Sequence, residues 1–271
     1  MESSILTDKQ KQQWSIDGYI LLKGVLSAGE SGNLKREVDR LHRRYVLNKA
    51  GVDPKSGLDR RNILPDSDAF IHLMDHPALF DVVLELMGPY IQLSMAEAVV
   101  RPPNPGYRGF IHTDGGQALR HIRVTETSWP LQIKIQYFLT DVTKPDRGNF
   151  TLFPGSHLRP YPEGDVPITA QTPGAVQLCA EAGDAAVFSH ALWHGVSPNL
   201  SRRSRKTLIY CYSQQCFRTF DFNGHTPEVL ERCTPRQRRL LGDLGRDWRP
   251  GAYFYSPEDQ VEIIEQRSEV A

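Results

Sequence analysis

The chain has 271 residues, and its 32 Lys plus Arg are balanced by 32 Asp plus Glu. That length can bury one large core, while a net charge of zero offers no general field for nucleic acid or an anionic membrane. No apolar run approaches the length needed to span a bilayer, and the four cysteines (Cys179, Cys211, Cys216 and Cys233) form no C-x-x-C pair, so a reduced, cytoplasmic protein without membrane or nucleic-acid partners is expected.

No Pro/Gly/Ser linker and no repeat divides the sequence, so one domain over residues 1–271 is expected. The first residues lack a basic segment followed by an apolar one, and the last ones lack a Ser-Lys-Leu address, so neither a signal peptide nor a peroxisomal signal is expected. Thr7 with Gln10 makes a capping box and predicts a helix over about 8–17, closed by Asp17-Gly18. Tyr19-Ile20-Leu21-Leu22 reads as a strand. Ser27 with Glu30 is a second capping box, and the helix behind it aligns Leu34, Val38, Leu41 and Tyr45 on one face. Asp59-Arg60-Arg61-Asn62 reads as a surface turn. Pro77 opens a further helix to about Met87, closed by Gly88-Pro89.

From Ile91 the signals change to strands and turns. Apolar or alternating runs at 91–101, 131–140, 150–153, 175–180, 185–189 and 205–212 are separated by Pro- and Gly-containing turns such as Pro102-Pro103, Pro154-Gly155 and Gly183-Asp184. Short strands spaced this way predict a mainly β fold with flanking helices and a sandwich or jelly-roll core. The expected layout is a helical part over about 1–90, a jelly roll over about 91–215 and a helical tail over about 226–271. Thr226-Pro227 and Thr234-Pro235 serve as helix starts in that tail.

The chemistry is concentrated in His112-Thr113-Asp114 and, 82 positions later, His194. On a strand end His112 and Asp114 are i and i+2, so both side chains point to one face. Two imidazoles and one carboxylate can occupy one face of an octahedral metal and leave three positions open, the ligand set of non-haem Fe(II) oxygenases. An isolated H-x-D is a weak signal; a core histidine pair with a turn aspartate is the bland alternative. Gly115-Gly116 ends the strand beside the site and starts a probable lid reaching to Pro130. His121, with Arg120 and Arg123, falls in it, where exposed loop residues are the ordinary reading and substrate contact the sharper one. The run Arg202-Arg203-Ser204-Arg205-Lys206 reads as a solvated loop with one inward arginine, or more sharply as a phosphate clamp. An inward guanidinium suits a dicarboxylate, because its planar fork binds a carboxylate at two points. Trp193 reads as a packing residue and His157 as a turn residue.

On His112-Thr113-Asp114, the segment Gly148-Asn149-Phe150-Thr151-Leu152-Phe153-Pro154-Gly155-Ser156-His157, Gly183-Asp184, and His194-Gly195 with Arg205, the chain resembles the phytanoyl-CoA dioxygenase (PhyH) family of Fe(II)/2-oxoglutarate-dependent oxygenases, from about Gly18 to about Leu241. The resemblance implies a double-stranded β-helix core of the cupin-like kind, with Fe(II), 2-oxoglutarate and O2 as cofactor and cosubstrates. It implies His112, Asp114 and His194 as iron ligands, and the spacing from His194 selects Arg205 for the distal carboxylate of 2-oxoglutarate. Thr207 would share the face of Arg205 and add a hydroxyl contact. The resemblance places Gln136 and Tyr137 beside the cosubstrate pocket. Only one can face in, and Tyr137 is expected there because it aligns with Leu131, Ile133, Ile135 and Leu139. It also places a basic cosubstrate-binding residue near Arg60 and Arg61. With Asp114 filling the position that halogenases leave to a halide, hydroxylation or desaturation is expected. The implied activity is hydroxylation of an unactivated C–H in a small-molecule substrate with release of succinate and CO2. A metal-dependent jelly-roll enzyme without 2-oxoglutarate, or a non-catalytic ligand-binding member of the fold, are the alternatives.

Overall fold

The computed structural model describes residues 5–53, 55–107, 109–122, 125, 127–162, 167–244 and 257–268. Both N-terminal capping boxes form. Thr7 opens α1 (Asp8–Asp17) and Ser27 opens α2 (Ala28–His42), each side chain accepting from the N3 amide while Gln10 and Glu30 accept from the cap amides. Between them lies β1 (Tyr19–Leu22). Helix α2 buries Leu34, Val38 and Leu41, and Tyr45 packs on the same core from a π-helical turn at Arg43–Leu47.

Asp59-Arg60-Arg61 is not a turn. It belongs to an edge strand, β2 (Leu58–Arg61), paired with the next strand through Leu58↔Val100 to Arg61↔Glu97. Its charged side chains hide it from a hydrophobic reading, as suits an edge. After α3 (Asp68–His72), Pro77 lies in a turn just ahead of α4 (Phe80–Met87), which Gly88 closes.

The long strand β3 (Ile91–Arg101) leads to a short helix α5 (Gly116–Arg120), then β4 (Gln132–Phe138), β5 (Phe150–Leu152), β6 (Val176–Gln177), β7 (Ala185–Ser189), β8 (His194–Val196) and β9 (Arg205–Gln214). The tail carries α6 (Pro227–Leu230), α7 (Pro235–Leu240) and α8 (Glu258–Ser268); the part of the expected tail over 245–256 lies outside the described residues.

All strand pairings are antiparallel. One sheet has the order β1-β7-β4-β9-β3-β2 and the other β6-β5-β8. This is the jelly roll. The outer face of the large sheet is covered by helices. Ile133, Ile135 and Tyr137 of β4 and Leu208, Tyr210 and Tyr212 of β9 share that core with Val38 of α2, Phe70 of α3 and Leu84 of α4. Tyr210 and Tyr212 donate their hydroxyl protons to the carbonyls of Phe70 (2.7 Å) and Met74 (2.6 Å), tying the helical layer to the sheet. A second apolar cluster, with Phe138, Phe150, Leu152 and Phe188, fills the space between the sheets. A bulge between Leu93 and Met95 shifts the register of β3 against β9, so that Ala96, Ala98 and Val100 join the helical core while Glu97, Val99 and Arg101 line the interior of the roll. No helix among the described residues is long and apolar enough to cross a membrane.

Candidate metal centre and cosubstrate cavity

His112 and His194 face each other across an isolated antiparallel bridge. Each backbone amide donates to the other's carbonyl at 2.8 Å, which fixes the two side chains as direct neighbours, ring centroids 4.4 Å apart. Gly195 permits the approach: a Cβ there would stand 2.4 Å from the carbonyl oxygen of Phe110. Two residues beyond His112, the Asp114 amide donates to the His190 carbonyl at 2.9 Å. One ligand atom from each of His112, Asp114 and His194 lies within 4.8 Å of the others. His194 Nε2 is 3.7 Å from Asp114 Oδ2, and His112 Nε2 is 4.0 Å from Asp114 Oδ1.

The protonation states suit metal binding. His194 donates from Nδ1 to the Leu192 carbonyl at 2.8 Å, which leaves Nε2 as the lone-pair donor. Burial pushes the His194 pKa down to about 3, and burial lowers that of His112 too, so both imidazoles are neutral at pH 7. Burial works against the Asp114 carboxylate, but Lys134 and the two histidines outweigh it and hold its pKa at about 2. Lys134 Nζ lies 2.5 Å from Asp114 Oδ1, whereas Asp114 Oδ2 is buried without a partner. One oxygen is thus engaged and the other is available. Lys134 was not singled out in the sequence; a lone lysine on an alternating strand carries no signal until its partner across the roll is known.

These residues line a cavity of about 1030 Å³ that also holds Gln136, Ile209 and Arg205. Arg205 is 3% exposed, and its Nε and one terminal nitrogen have no partner. Burial and the neighbouring Arg101 lower its pKa to about 9, so it remains charged at pH 7. Arg202 and Arg203 are exposed, as a solvated loop with one inward arginine requires. Thr207, two positions along β9 from Arg205, is fully buried with an unpartnered hydroxyl, and the Gln136 amide nitrogen is likewise buried and unpartnered. The buried guanidinium of Arg205 and the amide of Gln136, unsatisfied and lining one cavity, fit an oxygen-rich anion, whereas Thr207 is not among the residues that line it.

Tyr137 departs from expectation. It lies among Tyr210, Ile135 and the helical core, away from the cavity, which Gln136 lines instead. Both faces of β4 are buried, so its apolar alternation marks the face against the helices; the face towards the metal site is the polar one, Gln132, Lys134 and Gln136. Arg60 and Arg61 line the cavity from β2, Arg60 stacking 4.3 Å from the centroid of the Tyr45 ring. His157 sits in the 3-10 turn Ser156–Leu158 and is buried against Gly18, His121 is exposed, and Arg123 lies outside the described residues. Trp193 packs between Phe153 and Tyr161.

The sequence matches the family Phytanoyl-CoA dioxygenase (PhyH) over residues 14–207, most of the chain. The chain belongs to this family. Among relatives of this family member, dioxygenase cdmA of Talaromyces verruculosus is 29% identical over 174 residues, spanning 58% of this chain and 56% of that protein; the alignment thus covers little more than half of the relative. Dioxygenase cdmD of the same organism is 24% identical over 249 residues, spanning 83% and 80%. The crystal structure of HygX from Streptomyces hygroscopicus with nickel and 2-oxoglutarate bound aligns with a TM-score of 0.67 at 18% identity, over 83% of this chain and 93% of that one. That likeness establishes the fold.

Proposed function

We propose that this PhyH-family member is an Fe(II)- and 2-oxoglutarate-dependent dioxygenase that hydroxylates an unactivated C–H of a small organic molecule. Bound together, iron, 2-oxoglutarate and O2 supply the oxidant: one oxygen atom goes to the substrate C–H, the other to succinate, and CO2 is released. The observation carrying this reading is the pairing, in one cavity, of two neutral imidazoles and a carboxylate oxygen without a hydrogen-bond partner with a buried guanidinium that has no carboxylate partner among the described residues.

The residues divide the work. His112, Asp114 and His194 would hold the metal, with no fourth protein ligand beside them among the described residues. Lys134 fixes one oxygen of Asp114, so the ligand binds through the other. Arg205 takes the distal carboxylate of 2-oxoglutarate, which relieves the cost of its own burial, and Gln136 supplies a further polar contact. A jelly-roll metal enzyme that does not use 2-oxoglutarate, or a binding protein without turnover, would give Arg205 no such task.

The test is anaerobic titration of the Fe(II)-loaded protein with 2-oxoglutarate, followed by the visible charge-transfer band of the chelate. Appearance of the band, and substrate-dependent succinate release once O2 is admitted, are expected. Iron binding without a band would remove 2-oxoglutarate from the reading.

A further inference from the structure

Most cations of the metal cavity are matched. Lys134 pairs with Asp114, Arg101 with Asp59 at 2.7 Å, and Arg61 stands 3.9 Å from both Glu97 and Asp221. Arg60 reaches Asp66 at 3.8 Å. Arg205 has its proposed task. Arg120 remains, with no carboxylate partner among the described residues and with Nε buried and unpartnered. An iron(II) ion and a 2-oxoglutarate dianion cancel one another, so the loaded cavity keeps this positive charge.

Arg120 is also held in place. Gly115, at φ 76°, turns the chain directly after Asp114 into α5, and Leu119 packs so closely on it that a Cβ would stand 2.2 Å from the leucine Cδ1. The Arg120 guanidinium lies over the Tyr161 ring at 4.4 Å from its centroid. The Tyr161 hydroxyl donates to the carbonyl of Ile111, next to His112, and its ring meets the edge of Trp193, next to His194. The platform under Arg120 is therefore built from the neighbours of both histidines. On the lining of the same cavity the Phe110 ring is 67% exposed and 5.1 Å from the His112 ring. A second cavity of about 770 Å³ shares Phe110 and Arg101 with the first, so there is room for a body much larger than the cosubstrate.

We propose that Arg120 is a specificity-determining residue that binds an anionic group of the substrate, and that the substrate is an organic acid with an apolar body. This rests on the dioxygenase reading above. A fixed guanidinium binds an anion without the ordering cost of a free side chain, and the exposed Phe110 ring in the same cavity suits an apolar skeleton.

The experiment uses the anaerobic Fe(II)·2-oxoglutarate form of the full chain and a set of aryl and polycyclic carboxylic acids, each paired with its methyl ester. Binding next to the metal is read as a perturbation of the charge-transfer band. At least one acid should bind at least about tenfold more tightly than its ester, since a charge-assisted contact is lost on esterification. Arg120→Gln should abolish that preference, Arg120→Lys should retain part of it, and iron and 2-oxoglutarate titrations should be little changed in both. If no acid outbinds its ester, or if Arg120→Gln keeps the preference, the proposal falls. If the wild-type protein binds iron and forms no band with 2-oxoglutarate, the dioxygenase reading falls instead.

Discussion

At the scale of single residues, the site asks most of Arg205 and the histidines. An ion held by one imidazole and one carboxylate has lost a third of its protein ligands, so His112→Ala and His194→Ala should each abolish Fe(II) binding at micromolar metal while the fold survives. Equilibrium dialysis with circular dichroism checks both halves, and wild-type metal content in either variant would remove that residue from the ligand set. Arg205→Lys keeps the charge but loses the fork. A lost charge-assisted contact costs about 1.5–3 kcal/mol, so the 2-oxoglutarate requirement should rise roughly tenfold to a hundredfold with iron affinity unchanged. Arg202→Ala and Arg203→Ala, both on the exposed loop, should leave it as it was. The H-x-D spacing and the distant histidine were legible as a ligand set because strand geometry puts i and i+2 on one face. Lys134 was not legible as a site residue, and Arg120 only as a loop residue with substrate contact as the sharper reading, because a single cation says nothing until the fold supplies or withholds its counter-ion.

At the scale of elements, the instructive strand is β4. Its period of two was plain in the sequence, but which of its faces turns to the candidate metal site was not. Alternation separates two faces, and the usual rule sends the apolar one to the core. Here the large sheet has a core on one side and the polar cavity of the candidate metal site on the other, so the apolar residues Ile133, Ile135 and Tyr137 face the helices. The same logic hid β2, whose charged residues line the rim of the cavity, with Asp59 and Arg61 exposed and Arg60 half-buried. This assignment of faces makes opposite predictions for neighbours. Tyr137→Phe removes a buried hydroxyl that has no partner, so stability should hold or rise slightly and 2-oxoglutarate affinity should not move. Gln136→Leu should weaken 2-oxoglutarate binding by several-fold at unchanged iron affinity. Isothermal titration of the metal-loaded variants decides between them, and a larger loss from Tyr137→Phe would mean that the face is wrongly assigned. By contrast, the capping boxes and the 91–101 strand were readable outright, because local hydrogen bonding and a long, largely apolar run bounded by Gly88-Pro89 and Pro102-Pro103 need no knowledge of the partner.

At the scale of the whole molecule, the cavity makes stability depend on pH and on metal. Burial lowers the pKa of His190, His194 and His225 below the ordinary value, to about 3 for His194 and about 4 for His225. Each is neutral in the folded chain and takes up a proton near pH 6.5 once unfolded. The unfolded state therefore binds more protons as the pH falls, and folding loses stability from about pH 6.5 down to the folded-state values. For His194 alone, the loss at pH 5 relative to pH 7 is about 2 kcal/mol. Asp114 adds a second loss at lower pH: its stabilisation is present above the usual carboxylate range and disappears as the pH falls towards about 2. Metal binding requires the same neutral imidazoles and the same carboxylate, so it should raise the melting temperature at pH 7 and do so less at pH 5. Denaturant melts of the metal-free protein at pH 7 and pH 5, repeated with a redox-inert divalent ion such as nickel, measure both effects. Equal metal-free stability at the two pH values would contradict the burial of the histidines. A stabilisation by nickel that stayed the same at pH 5 would detach the metal from His112 and His194.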